Sequence, residues 1–197
     1  MIIGRKIMAD SHITKRALAA ALKVLMEEIP FAKISITDIC DSCGMNRKSF
    51  YYHFKDKYDL VNWIFDTEFI EEAAAKDYPT FWNALLDLCE YLYENRNFYR
   101  RALKIEGQNS FHVHFHALIA KSIADELDLL FGPEEALEMQ STDLFITFFA
   151  DGLTGMIERW ITQRGCDEPE IFMAQLRLFF AKVAFEVYRG LDEENTK

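Results

Sequence analysis

Apolar residues recur at three- and four-residue spacing through most of this 197-residue chain, which predicts a protein built from amphipathic helices. The first clear stretch covers residues 13–29, where Leu18 and Leu22 share one face, and Pro30 ends it. Residues 1–12 carry no such period, so we expect a poorly ordered N-terminal arm ahead of the first helix.

Two short helices with clear end signals follow. Ser35 with Asp38 three residues later is a capping pattern, in which the hydroxyl accepts a hydrogen bond from a backbone amide and the carboxylate favours the positive end of the helix. Gly44 supplies a left-handed residue that stops this helix, and Asn46 is a good cap for the next one. Two short helices around a glycine turn predict a helix-turn-helix.

The third helix, from about Asn46 to His53, presents an unusual outer face. Phe50 and Phe54 are expected to anchor it on the first two helices, which turns its basic and hydroxyl-bearing residues outward. These residues are Arg47, Lys48, Ser49, Tyr51 and Tyr52. The face suits a DNA major groove, where Arg and Lys bind guanine edges and hydroxyls bind phosphates or bases. Taken alone, it fits an ordinary surface helix equally well.

Charge is divided unevenly along the chain. The whole chain has a net charge of −10, yet residues 1–60 hold 10 Lys and Arg against 7 Asp and Glu, and the remaining residues hold 12 against 25. A DNA-binding protein needs positive charge only on the surface that faces the DNA. A basic front and an acidic rear are therefore compatible with nucleic-acid binding.

The composition excludes several classes of protein. Apolar residues make up 50% of the chain, with only 8 Gly and 4 Pro, so a disordered or loop-rich chain is not expected. Neither an apolar stretch of membrane-spanning length nor a signal-peptide core is present, so we expect a cytoplasmic protein without a membrane partner. The four cysteines lack disulfide-framework spacing and are interpreted as reduced thiols. A helical enzyme is an alternative from a different class, but no phosphate loop, nucleophile motif or metal-ligand set is present, so we expect no enzyme and no cofactor.

The residues around the helix-turn-helix resemble the N-terminal signature of the TetR family of transcription regulators. The matching segments are 37–40, 43–46 and 49–60, and the most specific part is the pattern Y-x-H-F-x-x-K from Tyr51 to Lys57. Residues 50–65 further resemble a subgroup that includes activators of dihydroxyacetone-kinase operons.

The resemblance implies an all-α fold of about nine helices. We expect an arm over 1–12, a three-helix helix-turn-helix DNA-binding domain over 13–57, and an effector and dimerisation domain over 58–197. Within the last range the apolar pattern predicts a linking helix to about residue 75 and further helices near 80–94, 96–105, 109–131, 134–164 and 168–189.

The resemblance also implies which residues meet the DNA. Thr37 and Tyr51 would bind phosphates, and Lys57 would lie where a phosphate-contacting lysine is usual. The remaining members of the set would lie in or beside the groove. The full predicted set is Thr37, Asn46, Arg47, Lys48, Ser49, Tyr51, Tyr52, His53 and Lys57.

In TetR-like proteins the last two long helices pair with those of a second subunit as a four-helix bundle. The residues here that suit such an interface are Phe145, Phe149, Gly152, Met156, Phe172, Leu176, Phe179 and Val183. An isologous homodimer would place two recognition helices roughly 34–36 Å apart on a near-palindromic double-stranded operator. The alternative is that these residues fill the core of a monomer.

Two modes of regulation stay open. The first is a repressor that is released by an effector, and the second is an activator that is controlled by a protein co-regulator, as the subgroup resemblance implies. A well-formed cavity behind the helix-turn-helix would favour a small-molecule effector, and a filled interior would favour the protein partner. The pattern selects no ligand-binding residue. From a different class, a helical adaptor without DNA binding is a further alternative.

Three histidines, His112, His114 and His116, lie close together in one predicted helix. The first and third share a face at a spacing compatible with metal binding, but no carboxylate lies within four residues of them. We therefore interpret them as polar positions near a pocket or on the surface and predict no metal.

Overall fold

The computed structural model describes residues 2–107, 110–131 and 142–195, with side chains for 11–107, 110–129 and 142–182. All regular structure in these ranges is helical. The helices are α1 (Ile2–Glu28), α2 (Ile36–Ser42), α3 (Arg47–His53), α4 (Lys57–Phe65), α5 (Phe81–Glu94), α6 (Arg96–Ala102), α7 (Phe111–Phe131), α8 (Thr142–Thr162) and α9 (Pro169–Asn195). Within the described ranges this gives the nine helices that the resemblance implies, beside a short 3-10 turn, Phe31–Lys33.

The helical structure of α4 extends beyond Phe65, its last residue in α-helical conformation. It continues through a π-helical turn, Asp66–Ile70, into one further turn, Glu71–Ala73. A π-turn inserts an extra residue into a helix and is frequent at functional sites. The apolar pattern predicted this helix to about residue 75 but gave no sign of the π-turn.

We expected a poorly ordered arm over residues 1–12, and in the structure α1 begins at Ile2. Apolar periodicity reports burial of one helix face, and a helix can extend beyond its buried part. Once residues 13–28 form a helix, each further residue adds one hydrogen bond without a new nucleation cost. Residues 2–12 contain no proline to stop this extension.

The front module, which we define as α1, α2 and α3, has its own small core. Leu18 and Leu22 of α1, Ile39 of α2 and Phe50 of α3 are all fully buried, and Phe54 is nearly so. The predicted aromatic anchors of α3 are thus confirmed. Truncating one such ring to Ala costs roughly 3–5 kcal/mol in a packed core, enough to unfold a small module.

The rear domain, which we define as α5 to α9, packs on α4 and touches the front module. Helices α7 and α8 lie along each other, α9 packs on α5, and α6 packs against α1. Four fully buried aromatic residues pack where α4 meets this domain: Phe65 of α4 with Tyr99, Phe111 and Phe115. No helix in the described ranges has the length and apolarity needed to cross a membrane.

Candidate nucleic-acid interface

The predicted capping box of α2 is present. The Ser35 hydroxyl accepts a hydrogen bond from the Asp38 amide at 3.1 Å, and the Asp38 carboxylate accepts bonds from the Ser35 hydroxyl and amide, both at 2.7 Å. The hydroxyl and then the amide of Ser35 lower the pKa of Asp38. This first turn carries Thr37, whose side chain is exposed. Thr37 is therefore accessible for the predicted phosphate contact.

The turn between α2 and α3 depends on Gly44. Its φ is +67°, in the left-handed region, so a side chain would be strained there even though the space that its Cβ would occupy is open to a distance of 4 Å. The Met45 amide then donates to the Cys40 carbonyl at 2.9 Å. The glycine sets the angle between the two helices through its backbone alone.

Asn46 caps α3, as predicted. Its Oδ1 accepts a hydrogen bond from the Ser49 amide at 2.9 Å. Phe50 points into the core on the opposite side of the helix. The cap and the buried ring together fix how far α3 is rotated about its axis.

The outer face of α3 is accessible along its length. Tyr52 is 78% exposed and Tyr51 is 50% exposed. Arg47 and Lys48 are also exposed, whereas Ser49 and His53 are half-buried. Large aromatic side chains left in water beside two cations form a surface that can contact bases, sugars and phosphates.

Arg47 and Tyr51 form a pair on this face. The guanidinium donates to the Tyr51 hydroxyl at 3.3 Å and lies 5.8 Å from the ring centroid. This hydrogen bond is the main reason why the pKa of Arg47 is raised. Arg47 thus orients the tyrosine hydroxyl.

His53 lies at the end of α3 in a more enclosed position. Its ring meets Tyr52 edge to face at 4.9 Å. Burial lowers the pKa of His53, and the positive charge of Lys15 lowers it further. Lys15 itself lies 5.5 Å from the Phe54 ring and 5.4 Å from the Trp63 ring, a contact that the sequence did not reveal.

Lys57 is half-buried and contacts the turn between α1 and α2. Its Nζ donates to the carbonyls of Phe31 and Ile34, both at 2.7 Å. The ammonium also lies 4.4 Å from the Phe31 ring centroid. Burial lowers the pKa of Lys57. The side chain thus holds the turn between α1 and α2.

The π-turn of α4 joins the front module to the rear domain. Glu68 on this turn accepts from Lys23 of α1 at 2.5 and 2.7 Å and from the Tyr91 hydroxyl of α5 at 3.0 Å. The Tyr91 and Tyr99 hydroxyls lie 2.7 Å apart. Burial is the main cause of the raised pKa of both tyrosines, so they remain protonated. Sequence reasoning missed this network because its members are far apart in the chain.

Each of the three histidines of α7 has a carboxylate partner on another helix. His112 pairs with Glu158 at 2.6 Å, His114 with Asp66 at 2.6 Å, and His116 with Asp151 at 2.8 Å. The carboxylate partner of each histidine is therefore far from it in the sequence, which is why the sequence did not reveal these pairs. Among the residues that the structure describes, no three His, Cys, Asp or Glu side chains form a group that could hold a metal ion.

The residues predicted for a dimer interface fall into three sets. Gly152, Met156 and Phe179 are exposed, as an interface requires. Phe145 and Phe149 are half-buried against α9 and the neighbouring helices. Phe172 and Leu176 are buried, with 9% and 1% of their surface exposed. The side chain of Val183 lies outside the described residues.

Phe172 and Leu176 were expected at the interface because they continue the apolar period of α9. In the structure the Phe172 ring stacks on Trp160 at 4.7 Å, within the fold of a single chain. Three further large apolar residues are exposed beside the accessible set: Leu144 at 71%, Phe148 at 69% and Leu178 at 56%. These three and Met156 and Phe179 define what we call the α8–α9 apolar face.

Two comparisons cover the front and the rear of the chain. Residues 17–64 match the family described as "Bacterial regulatory proteins, tetR family", and residues 80–182 match the family described as "Transcriptional regulator C-terminal region". The first match contains the whole predicted DNA-binding set. The second contains the Tyr91–Tyr99 pair and all five residues of the α8–α9 apolar face.

Similar proteins carry both parts together. The HTH-type dhaKLM operon transcriptional activator DhaS of Lactococcus lactis subsp. lactis (strain IL1403) is 34% identical over 180 residues, covering 89% of this chain and 94% of the relative. A solved structure of the dihydroxyacetone kinase operon activator DhaS superposes with a TM-score of 0.62 at 25% identity, over 88% of this chain and 97% of that one. The chain belongs to the TetR family of DNA-binding transcription regulators.

Proposed function

We propose that this regulator binds a near-palindromic operator as a homodimer and activates transcription under the control of a protein partner. The observation that carries the DNA-binding part is the outer face of α3, with two exposed tyrosines beside Arg47 and Lys48. Because its target is chromosomal DNA, the protein would act in the cytoplasm.

The homodimer is supported by the α8–α9 apolar face. Its residues include Phe148 and Phe179, which are too large and too exposed to be left in water without a cost. Gly152 and Gly155 lie beside them without a side chain, which permits close approach of another helix. An open groove of about 490 Å³ runs past Gly152, Gly155 and Met156. A second copy related by two-fold symmetry would cover the face and fill the groove.

Control by a protein partner is supported by the close packing of aromatic rings where α4 meets the rear domain. Phe65 meets Tyr99, Phe111 and Phe115 directly, at centroid distances of 5.2 to 6.0 Å. Rings packed at this spacing leave no room between them for an effector of ordinary size. Activation is supported by the relative at 34% identity, which is named as an operon activator.

A repressor released by a small molecule is the second candidate. A cleft of about 170 Å³ between α5, α7, α8 and α9 is lined by Phe81, Trp82, Phe145, Phe149 and Phe180 with Glu126 as its charged residue. Ligand pockets usually measure roughly 300–1,000 Å³, so this cleft suits only a very small apolar effector. This cleft therefore gives little support to a larger effector.

The sign of regulation is tested by deleting the gene and measuring the transcripts of genes that lie next to the operator. The operator is first identified by selecting bound duplexes from a random pool. An activator predicts that these transcripts fall on deletion and recover when the gene is restored. A rise on deletion would establish repression instead. A variant with Lys48→Ala, restored in place of the natural chain, controls for effects that do not pass through DNA binding.

The nature of the controlling factor is tested by in vitro transcription from the same promoter. Cell extract is divided by ultrafiltration into a small-molecule filtrate and a retained macromolecular fraction. We expect the retained fraction to stimulate transcription and protease treatment to abolish the stimulation. Stimulation or release by the filtrate alone would support the second candidate.

A further inference from the structure

A lysine in the middle of α1 lies against the end of α3. The Lys15 ammonium is 5.5 Å from the centroid of the Phe54 ring, the C-cap residue of α3, and 5.4 Å from that of the Trp63 ring. Burial and then the charge of Lys15 lower the pKa of His53, the last residue of α3. Lys15 is therefore part of the surface at this end of α3, although it precedes the family match over 17–64.

The direction of α1 places Lys15 away from the rear domain. Further along the helix, Lys23 pairs with Glu68 of the π-turn, and the Glu27 carbonyl accepts a hydrogen bond from Arg101 of α6 at 2.6 Å. A helix rises about 1.5 Å per residue, so Lys15 lies about 12 Å before Lys23 along the axis. The C-terminal part of α1 thus meets the rear domain, and the part with Lys15 lies beside α3.

The rings beside Lys15 leave its hydrogen-bonding capacity unused. An ammonium has three protons to donate, and the face of a ring attracts the charge without supplying a lone pair. Within the part of the chain that the structure describes, no group accepts a hydrogen bond from Lys15 or forms an ion pair with it. The residue is only half-buried. Lys15 is thus a held cation that lacks an anionic acceptor.

We propose that Lys15 binds a DNA phosphate beside the end of α3, in addition to the contacts made by the helix-turn-helix. The phosphate supplies the oxygen acceptors that the described chain does not offer to this ammonium. Because the two rings already restrict the side chain, less freedom is lost when it binds. This inference rests on the proposed function, in which a homodimer brings two copies of Lys15 to one operator.

The contact predicts a change in salt dependence. A lysine that neutralises one phosphate contributes roughly 0.9 to the slope of log K against log salt concentration, so the two copies contribute roughly 1.8. We expect Lys15→Met, which keeps an apolar stem on the rings, to reduce the slope by this amount. From about 50 to about 200 mM salt, the affinity of the unaltered protein should fall about tenfold more than that of the variant. Lys15→Arg, which keeps the charge, should keep the slope within about 0.3.

Two controls separate a phosphate contact from other effects of the substitution. Lys121→Met removes an exposed lysine of α7 in the rear domain, and its slope should stay within about 0.3 of the unaltered protein. The urea midpoint of Lys15→Met should match that of the unaltered protein, because the apolar stem is kept. Equal slopes for Lys15→Met and Lys121→Met would overturn the proposal.

Neutral linkages in the operator test the contact itself. A series of duplexes carries one uncharged methylphosphonate at the same position of each half-site. At one position, we expect the unaltered protein to bind about tenfold more weakly while Lys15→Met loses no affinity. If every position weakens the two proteins by the same factor, Lys15 binds no phosphate. Failure of the unaltered protein to bind any duplex would refute the proposed function as well, whereas normal binding with an unchanged slope in Lys15→Met would refute this contact alone.

Discussion

Two surfaces of this protein expose large aromatic side chains, and their neighbours differ. On α3, Tyr51 and Tyr52 stand beside Arg47 and Lys48. On the α8–α9 apolar face, Phe148 and its neighbours stand beside leucines and glycines. Exposure alone therefore does not identify a partner. The hydroxyls and cations of the first surface suit a polyanion, and the apolar, close-approach character of the second suits another copy of the chain.

The largest expected effect is that of Phe148→Asp, which tests whether the α8–α9 apolar face is the dimer interface. Two-fold symmetry places the charge in the interface twice, and burial of an unpaired carboxylate costs several kcal/mol. We expect the dimer dissociation constant, measured by sedimentation equilibrium, to rise roughly a thousandfold or more. Val24→Asp changes a similarly exposed apolar residue of α1 and should leave dimerisation unchanged. Equal effects of the two substitutions would show that the apolar face is not the interface.

Lys48→Ala tests the other surface. Loss of a good contact to a base edge costs about 1–3 kcal/mol for the preferred base and little for others, so the ranking of operator variants should change. Fluorescence anisotropy on a set of single-base variants measures this ranking. Tyr51→Phe, which removes one hydroxyl, should instead weaken all variants by a similar factor. A uniform loss from Lys48→Ala would refute its role in base recognition.

Glu68→Gln tests how the two surfaces communicate. The substitution removes the charge that pairs with Lys23 across the joint between front module and rear domain. Because both side chains are partly exposed, we expect a loss of only about 0.5–1 kcal/mol in the free energy of unfolding, measured in urea. Stimulation by the retained extract fraction should fall more than operator affinity does. Glu71→Gln, on an exposed position of the same helix, should change neither.

His53 gives the smallest expected effect. Because burial and Lys15 lower its pKa in the folded chain, the unfolded chain binds more protons as pH falls. Its contribution to stability is therefore complete above the pKa of an unfolded histidine, about 6.5, and is lost as pH falls through the lower folded value. The difference in unfolding free energy between the natural chain and His53→Gln should shrink from about pH 7.5 to about pH 5.5. A difference that grows on acidification would contradict this assignment.

The sequence predicted the parts of the fold that are determined locally. The capping residues Ser35 and Asn46, the left-handed Gly44 and the buried Phe50 act within a few residues of one another, and the structure confirms each. The sequence did not predict that α1 begins at Ile2, because residues 2–12 extend the helix without apolar residues at helical spacing. The π-turn was missed because it has no sequence signature.

Contacts across long stretches of the chain could not be predicted. The ammonium of Lys57 reaches carbonyls 23 and 26 residues earlier, and the partner of His114 lies 48 residues away. The spacing of apolar residues also does not show whether a residue packs within its own chain or against a second copy of the chain. Phe172 and Phe179 share a helix and an apolar character, yet only Phe179 is exposed.

Selection of bound duplexes from a random pool at about 150 mM salt tests the central claim most directly. A dimer with two copies of α3 predicts recovery of a near-palindrome with half-site centres about one DNA turn apart, roughly 34–36 Å. Recovery of a single unrepeated half-site, or no enrichment by the purified dimer, would contradict the proposal that the protein binds DNA as a two-fold symmetric dimer.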